Sequence, residues 1–488
     1  MQRVLNVQPF TRNFNMKINP FWNNTLIYGV GFLGLRAISF LLLPLYTNLL
    51  SPHEAGILFI IYTILAFLNT IYNRGMDSSL LKFFNKENEK TIISTSIIYS
   101  IIYSFVLSIS IFIIYTIVHH YGLVYKYSLP FNIIYFILII LFSDMLSSRC
   151  MHIVRLQNRP WFYLLVSLVN VLASIILNLY FIIILKQGVY GALMAIFGVS
   201  IIQFMLLTPI LIFKVKLNLI DRDVLSKMLN FSRPFLPAAI FFILIELSDR
   251  WFISWLSFNH IIDVGLYGAG YKVGSIMLLI VRGFNLNWQP FYIQEQGGAD
   301  SIRKFTSIGN DFINIMIVIG TLIVIGFPLA IKTQILGFSL IGAAFWDGLS
   351  IIPIIVISYL FYGVFILQMP SIYIKNKQNW APYFWGIGFI INAIFNMLLI
   401  PKYQFMGAAI STCFAYFSMM ALLLYKNKSW MKIKYNNKSI IVTISISLIL
   451  YLISFLCTEN PYFVYYFPFL TAIYIMWSCK YLINKKRL

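Results

Sequence analysis

The sequence predicts an all-α polytopic membrane protein, and its composition, the length of its apolar segments and the placement of its cations each support that fold class. Of the 488 residues, 60% are hydrophobic and only 10% are charged, whereas a soluble globular domain carries about 25% charged residues. A protein core cannot bury this much apolar surface, so the lipid bilayer must surround most of the chain. No segment between the apolar runs is long enough to form a soluble domain.

About fourteen segments are long enough to cross a bilayer, which requires about 20 mostly apolar residues. We place them at 25–50, 55–73, 91–118, 131–148, 161–185, 189–213, 234–257, 264–286, 307–331, 350–370, 381–400, 404–425, 439–457 and 462–483. A further apolar stretch, 331–349, is short and contains glycine, so it is either a periplasmic loop or a re-entrant segment.

The Lys and Arg residues are concentrated on one side of the predicted membrane. Twenty-eight of the 36 fall in every second gap between spans, and the gaps between those hold only Lys126, Lys186, Lys332 and Lys402. Cytoplasmic loops of membrane proteins are enriched in Lys and Arg. We therefore expect a multi-pass protein of the bacterial cytoplasmic (inner) membrane, with a cytoplasmic N-terminal segment (1–24) and a cytoplasmic tail (484–488). A net charge of +21 that faces anionic lipid gives no reason to expect a nucleic-acid partner.

The chain also repeats itself. Glu54-Ala55-Gly56 opens the second span and Asp263-Val264-Gly265 opens the eighth, and an Arg-Gly pair follows each Gly after 18 and 17 residues, at Arg74 and Arg282. The repeat predicts two related six-helix lobes, an N-lobe (25–214) and a C-lobe (231–425). Each lobe has an even number of spans, so the two copies have the same orientation in the membrane. The spans within 439–483 have no counterpart.

Four cations lie inside or at the ends of apolar segments, where a charge costs about 2.5–3.5 kcal/mol at the helix centre. They are Arg36, Arg250, Lys272 and Arg282. Such residues are usually paired or line a water-filled cavity. Two interpretations remain open: neighbouring acids neutralise the cations to hold the fold together, or the surplus positive charge binds an anionic substrate.

The acids nearest these cations are Glu246 and Asp249. Glu246 and Arg250 are four residues apart on one helix, so they share a face and can form an ion pair. Arg74 and Arg282 occupy matching places in the two lobes and complete the candidate substrate-binding set. A carboxyl in a low-dielectric interior is also able to carry a coupling proton, which makes Glu246 and Asp249 candidates for charge balance or ion coupling.

The sequence gives no reason to expect a cofactor, a metal site or an enzyme. The segment 29–34 matches GxGxxG but lies within a continuous apolar span, without the strand that a dinucleotide fold requires. His119 and His120 are adjacent and cannot share one helix face. A membrane glycosyltransferase or polymerase is an alternative, but it needs a substantial exposed loop with catalytic acids, and 331–349 contains only Asp347.

The segment Leu50-Ser51-Pro52-His53-Glu54-Ala55-Gly56 resembles the Leu-Ser-Pro-x-Glu-Tyr-Gly turn of the flippases for O-antigen and capsule repeat units. These belong to the multidrug/oligosaccharidyl-lipid/polysaccharide (MOP) exporter superfamily. Ala55 replaces the usual aromatic residue. The resemblance extends over about 20–430, and the further matches are Asp249-Arg250, Gly265-Leu266-Tyr267, 396–401 and Gly407-Ala408-Ala409.

The resemblance implies a V-shaped pair of lobes around a cationic cavity, which moves an undecaprenyl-diphosphate-linked oligosaccharide to the periplasmic leaflet by alternating access. Arg36, Arg250, Lys272 and Arg282 would then contact the diphosphate or acidic sugars. The last two spans would offer a groove for the lipid tail. Membrane lipids and a polysaccharide polymerase or export machinery are the implied partners.

Two transporters of the same superfamily are alternatives to this function. A lipid II flippase moves a related polyprenyl diphosphate. A drug or cation antiporter is disfavoured, because the surplus of intramembrane Arg and Lys would repel a cationic drug.

Overall fold

The computed structural model describes residues 40, 42–84, 88–121, 132–157, 159–233, 235–295, 298–331, 334–335 and 338–456. The predicted N-terminal segment, most of the first span with Arg36, the last span and the C-terminal tail lie outside these residues. Within them the chain is almost entirely helical, and the all-α polytopic fold class is confirmed.

The N-terminal half of the described chain consists of seven α-helices. They are α1 (Leu42–Leu49), α2 (Pro52–Asn73), α3 (Met76–Phe83), α4 (Glu89–His120), α5 (Ile133–Leu156), α6 (Pro160–Asn178) and α7 (Gly188–Lys214). A π-helical turn, Leu179–Ile184, extends α6.

The remainder begins with a short 3-10 turn, Leu217–Leu219, and contains ten further helices. They are α8 (Arg222–Ser232), α9 (Phe235–Leu247), α10 (Asp249–Leu256), α11 (Ile261–Gly274), α12 (Ile276–Gln294), α13 (Ala299–Ile331), α14 (Ile352–Gln368), α15 (Pro370–Ile374), α16 (Ala381–Trp430) and α17 (Asn437–Leu456). A 3-10 turn, Gln378–Trp380, precedes α16.

The sequence did not decide whether 331–349 is a periplasmic loop or a re-entrant segment. In the structure this segment contains a small hairpin followed by a helix. Strands β1 (Gln334–Ile335) and β2 (Phe338–Ser339) pair antiparallel. A 3-10 helix, Ala343–Ile351, then leads directly into α14.

Helix α16 is folded back on itself. Trp380, the N-cap residue, and Trp430, the last residue of the helix, have ring centroids only 5.6 Å apart, whereas a straight helix of 50 residues would be about 75 Å long. The reversal follows Pro401 and includes Gln404, whose φ of 51° and ψ of −135° are not helical. The helix therefore corresponds to two predicted spans, 381–400 and 404–425.

The described helices cover the second to the thirteenth predicted spans, and the count of candidate spans reaches the predicted number only at its upper limit. Nine helices among these residues are long and apolar enough to cross a membrane, or eleven if two bent pairs, α8 with α9 and α11 with α12, each count as one span. With α16 counted as two, the described part of the chain accommodates the second to the thirteenth predicted spans.

The outward faces of several helices are apolar, as lipid contact requires. On α4, for example, Ile102, Phe105 and Ile114 are each about 60% exposed. The largest cluster of buried apolar side chains lies in the interior instead and includes residues of both halves, such as Leu58 of α2 and Tyr267 of α11.

The turn before α2 explains why the Leu-Ser-Pro-His-Glu-Ala-Gly sequence is useful at this place. Ser51 is the N-cap, Pro52 is in the first turn, and the backbone N–H of Ser51 donates to Glu54 Oε2 at 2.9 Å, while the Glu54 N–H donates to Ser51 Oγ. This capping box satisfies helix-end donors where α2 begins.

Two glycines then allow the backbones of α2 and α11 to touch. A Cβ added to Gly56 would lie 2.1 Å from the carbonyl oxygen of Ile261, and one added to Gly265 would lie 2.0 Å from that of Pro52. We call this contact the α2–α11 seam. It joins the two repeats through the residues that first revealed them in the sequence.

The matching Arg-Gly pairs differ in conformation. Arg74 and Gly75 have φ of 52° and 69° and end α2, whereas Arg282 continues within α12. In the second repeat the chain bends instead near Ser275, where α11 and α12 meet at 42°.

The α2–α11 seam should tolerate no side chain at Gly265. In a Gly265→Ala variant the two helices must separate, which we expect to lower the free energy of unfolding by about 1–3 kcal/mol. Thermal unfolding of the purified protein in detergent measures this. Gly298→Ala is the matched control, because a Cβ there meets nothing within 4 Å. Equal unfolding temperatures for the two variants would contradict a close-packed seam.

Candidate functional site

Two buried carboxyl groups lie where the seventh predicted span is interrupted between α9 and α10. Glu246 is in the last turn of α9 and is 5% exposed, and Asp249 begins α10 and is fully buried. A buried carboxylate is tolerated only if donors surround it. The structure supplies those donors from four other stretches of helix.

Glu246 is held by three tyrosines. The hydroxyl groups of Tyr271 and Tyr359 donate to its Oε2 at 3.3 and 3.1 Å, and the hydroxyl of Tyr416 donates to its Oε1. These tyrosines come from α11, α14 and α16, so the carboxyl group ties three helices of the C-terminal half to α9.

Asp249 has a different set of donors. The Tyr267 hydroxyl and the Thr412 hydroxyl each donate at 2.5 Å, and the amides of Asn392 and Asn396 donate at 3.1 and 2.8 Å. Within the described residues the buried Oδ1 of Asn396 has no hydrogen-bond partner. The cluster therefore keeps one acceptor atom unused beside a carboxyl group.

Arg250 does not form the ion pair with Glu246 that their spacing suggested. Its Nη1 donates to the backbone carbonyl of Glu246 at 3.3 Å, and its guanidinium lies 4.8 Å from the ring centroid of Tyr271. Among the described residues, no Lys or Arg side-chain nitrogen lies within 4.0 Å of the carboxylate of Glu246 or Asp249. The two residues share a face, but the Glu246 side chain points to the tyrosines.

A cavity of about 770 Å³ lies among the helices of the N-terminal half, and none of the carboxyl groups or donors of this cluster lines it. Helices α5, α6 and α7 form most of its wall, α1 and α2 contribute tyrosines, and Lys272 of α11 enters from the other half. Lys272 is the one residue of the predicted site that the described cavity wall contains. Its Nζ lies 5.9 Å from the ring centroid of Phe40.

Comparison with protein families identifies the class to which this architecture belongs. A family model described as "Polysaccharide biosynthesis protein" matches residues 21–288, more than half of the chain. The chain belongs to this family. The predicted membership of the MOP superfamily is confirmed. A comparison with curated proteins gave no significant sequence match.

Solved structures of the same fold are distant in sequence. The lipid II flippase MurJ in an inward closed conformation matches with a TM-score of 0.67 at 15% identity, over 95% of this chain and 100% of that chain. An inward-facing multidrug resistance MATE family transporter matches with 0.58 at 13% identity, over 85% and 95%. A MOP superfamily transporter from Pyrococcus furiosus matches with 0.57 at 13% identity, over 84% and 94%.

These likenesses confirm the fold. The protein of the polysaccharide biosynthesis family is a multi-pass membrane protein with the V-shaped, two-lobe architecture of its superfamily. The structural neighbours are a lipid II flippase and multidrug or other MOP superfamily transporters.

The remaining predicted site residues are dispersed. The Arg282 guanidinium lies 4.9 Å from the ring centroid of Phe242 and within electrostatic range of Glu246. Arg74 donates to the Tyr99 hydroxyl near one end of the N-terminal half. Arg36 lies outside the described residues.

Two features of the N-terminal half were missed in the sequence. Arg149, counted as a loop cation, is 1% exposed inside α5 and pairs with Asp77 at 2.5 Å. Asp144 lines the cavity, with its Oδ1 accepting from Ser200 at 2.6 Å. The rule that selected Arg36, a charge within an apolar span, applies equally to Asp144 and would have found it.

The tyrosines around Glu246 predict that replacing Glu246 alone destabilises the protein more than replacing Glu246 together with the tyrosines. Glu246→Leu leaves buried hydroxyl groups without their acceptor and should lower the free energy of unfolding by about 2–4 kcal/mol. Adding Tyr271→Phe, Tyr359→Phe and Tyr416→Phe removes those donors and should recover most of the loss. Thermal unfolding of the purified variants tests this. If the four substitutions together are more destabilising than Glu246→Leu alone, the carboxyl group is not held mainly by the tyrosines.

Proposed function

We propose that this protein is a flippase that moves a polyprenyl-diphosphate-linked oligosaccharide from the cytoplasmic to the periplasmic leaflet, as part of cell-surface polysaccharide biosynthesis. The observation that carries the proposal is the polar cavity inside the membrane, with Lys272 on its wall, in a chain of the polysaccharide biosynthesis family. A cavity of this kind shields a hydrophilic headgroup from the bilayer while the lipid tail remains in the lipid.

The diphosphate of such a substrate requires cations within reach. Lys272 is the first candidate because it lines the cavity. Arg250 lies on the adjacent helix, α10, and adds positive potential at Lys272. Arg36, Arg282 and Arg74 complete the set, and Arg36 would provide the bidentate contact that a guanidinium makes to phosphate.

Glu246 and Asp249 are the candidate ion-coupling groups. A deprotonated carboxylate only accepts hydrogen bonds, and a protonated one also donates. A proton added to Glu246 would thus compete with a tyrosine hydroxyl for the same position and loosen the contacts that join α9 to α14 and α16. Ion binding would in this way change the packing within the C-lobe.

Alternating access requires one end of the V to open as the other closes. The α2–α11 seam closes one end, and the positive-inside rule assigns that end to the periplasm. Transport would then open the seam after the substrate enters from the cytoplasmic side. Backbone-to-backbone contact suits such a seam, because no ion pair among the described residues joins α2 to α11 and would have to be broken when the seam opens.

A lipid II flippase is the second candidate, favoured by the match to MurJ over the whole of that chain. Both candidates carry a polyprenyl diphosphate, and deletion of the gene separates them. Accumulation of a lipid-linked repeat unit with normal cell-wall synthesis supports the proposal, and accumulation of lipid II supports the alternative. A drug antiporter is disfavoured by Lys272 in the cavity, and no covalent chemistry is proposed for the protein.

The proposed orientation predicts which loops are accessible from outside. In a protein with its four native cysteines replaced, a membrane-impermeant thiol reagent should label cysteines at His53 and Asn259, which are exposed at the end of the seam. It should not label cysteines at Lys432, exposed at the opposite end, until the membrane is permeabilised. Labelling of the Lys432 position in intact cells would show that the orientation is the opposite of the one proposed.

Loss of a proposed substrate-binding cation should abolish transport without loss of the protein. We expect Lys272→Ala and Arg36→Ala to eliminate surface polysaccharide at normal membrane abundance, and Arg36→Lys to restore it partly, because its ammonium lacks the bidentate geometry. Polysaccharide staining and immunoblotting of membranes provide the two measurements.

Lys402→Ala is the matched control for these variants, because it removes an exposed cation outside the cavity. Normal export by both the Lys272 and the Arg36 variants would refute their assigned contact with the diphosphate.

A further inference from the structure

The cavity has two chemically different sides. Its single Lys or Arg among the described lining residues is Lys272, from α11. The opposite side is formed by α5, α6 and α7 and carries a carboxyl, amide and hydroxyl groups, with Asp144 as its charged member. We call this second side the polar wall.

The polar wall is built from three helices that each turn a polar stripe inward. Asp144, Ser148 and His152 are spaced four residues apart on α5, Ser167, Asn170 and Ser174 three and four apart on α6, and Ser200 and Gln203 three apart on α7. Residues at these spacings share one helix face. Neighbouring outward positions are apolar, as with Leu168 and Leu172, which are 42% and 56% exposed.

Structural hydrogen bonding uses only part of this polar surface. Asn170 Nδ2 donates to Gln203 Oε1 at 2.5 Å. Within the described chain, the side-chain oxygen of Asn170 and the side-chain nitrogen of Gln203 have no hydrogen-bond partner. Both residues line the cavity. Asp144 accepts from Ser200 at 2.6 Å and from Asn69 at 3.4 Å, and no Lys, Arg or His nitrogen of the described residues lies within 4.0 Å of it.

Mixed amide, hydroxyl and carboxyl groups are suited to sugars. A sugar presents hydroxyl or acetamido groups, each of which both donates and accepts, so it pairs with the Asn170 carbonyl and the Gln203 amide at once. Polar side chains inside a membrane are expensive and usually functional. The Asp144 carboxylate, which forms no ion pair among the described residues, accepts from sugar O–H and N–H groups and repels a sugar carboxylate.

We propose that the polar wall binds the glycan of the lipid-linked substrate and selects neutral, amino or acetamido sugars over acidic ones, while Lys272 on the opposite side contacts the diphosphate. This inference rests on the proposed flippase function and adds a substrate class to it. The sequence led us to expect that the cavity cations contact either the diphosphate or acidic sugars. The present inference assigns them to the diphosphate alone.

Binding to the full-length protein in lipid nanodiscs tests the proposal with three probes. They are undecaprenyl diphosphate without sugar, the same lipid carrying one N-acetylglucosamine, and the same lipid carrying one glucuronic acid. The unmodified protein should bind the acetamido probe about tenfold more tightly than the acidic one, since about 1.4 kcal/mol corresponds to tenfold in affinity.

Two variants divide the polar wall into its parts. The double variant Asn170→Leu with Gln203→Leu removes the amide pair at nearly constant volume and should weaken binding of the acetamido probe about tenfold. Its affinity for the sugar-free probe should be unchanged, which also shows that the variant is folded. Asp144→Asn keeps the shape and should improve binding of the acidic probe. Thr208→Val on α7 is the control, because that hydroxyl bonds its own helix and lies outside the cavity lining.

The outcomes separate the inference from the function on which it rests. Equal affinity of the unmodified protein for the acetamido and acidic probes, or equal weakening of the sugar-free and acetamido probes by the leucine pair, overturns the role of the polar wall while the flippase proposal stands. If none of the three probes binds the unmodified protein, the flippase proposal fails and the inference fails with it.

Discussion

The hydrocarbon interior of the bilayer provides no water for a polar group, so every polar side chain within it must find a partner in the protein or line a wet cavity. The two carboxyl groups of the C-terminal half meet this constraint with side-chain donors. Glu246 is held by tyrosines and Asp249 by amide and hydroxyl groups. The packing of α9, α11, α14 and α16 follows from this arrangement, because each helix must present its donor at the carboxylate.

The seam between the two lobes has the opposite character. Gly56 and Gly265 bring the backbones of α2 and α11 into direct contact. Apolar attraction between helices is weak in lipid, and close backbone packing replaces it. The carboxyl cluster therefore holds one lobe together internally, while the contact between lobes depends on shape, which can be made and broken as two rigid bodies move.

Much of this fold was predictable because membrane insertion imposes regular patterns. Apolar segments of about 20 residues and alternating loop charge predicted the spans that the structure describes. The paired acidic-x-Gly motifs predicted a repeat, but the contact of α2 with α11 at those motifs was found only in the structure. The site was less predictable. Charge alone suggested an ion pair between Glu246 and Arg250, but the donors to Glu246 are tyrosines 25 to 170 residues away in sequence. Aromatic residues make up 17% of the chain, so no local pattern distinguishes these three.

The two halves of the protein present different polar groups to the cavity, and this difference has a consequence for transport. Lys272 approaches the cavity from the C-terminal half, and Asp144, Asn170 and Gln203 approach from the N-terminal half. A substrate with an anionic end and a hydroxyl-rich end can contact both halves only if it bridges them. Binding then contributes free energy to the arrangement in which the two sides face each other at the correct distance, and a ligand shifts a conformational equilibrium by its difference in affinity for the two states. A substrate lacking either end would bind to one lobe alone and leave the relative position of the lobes unchanged.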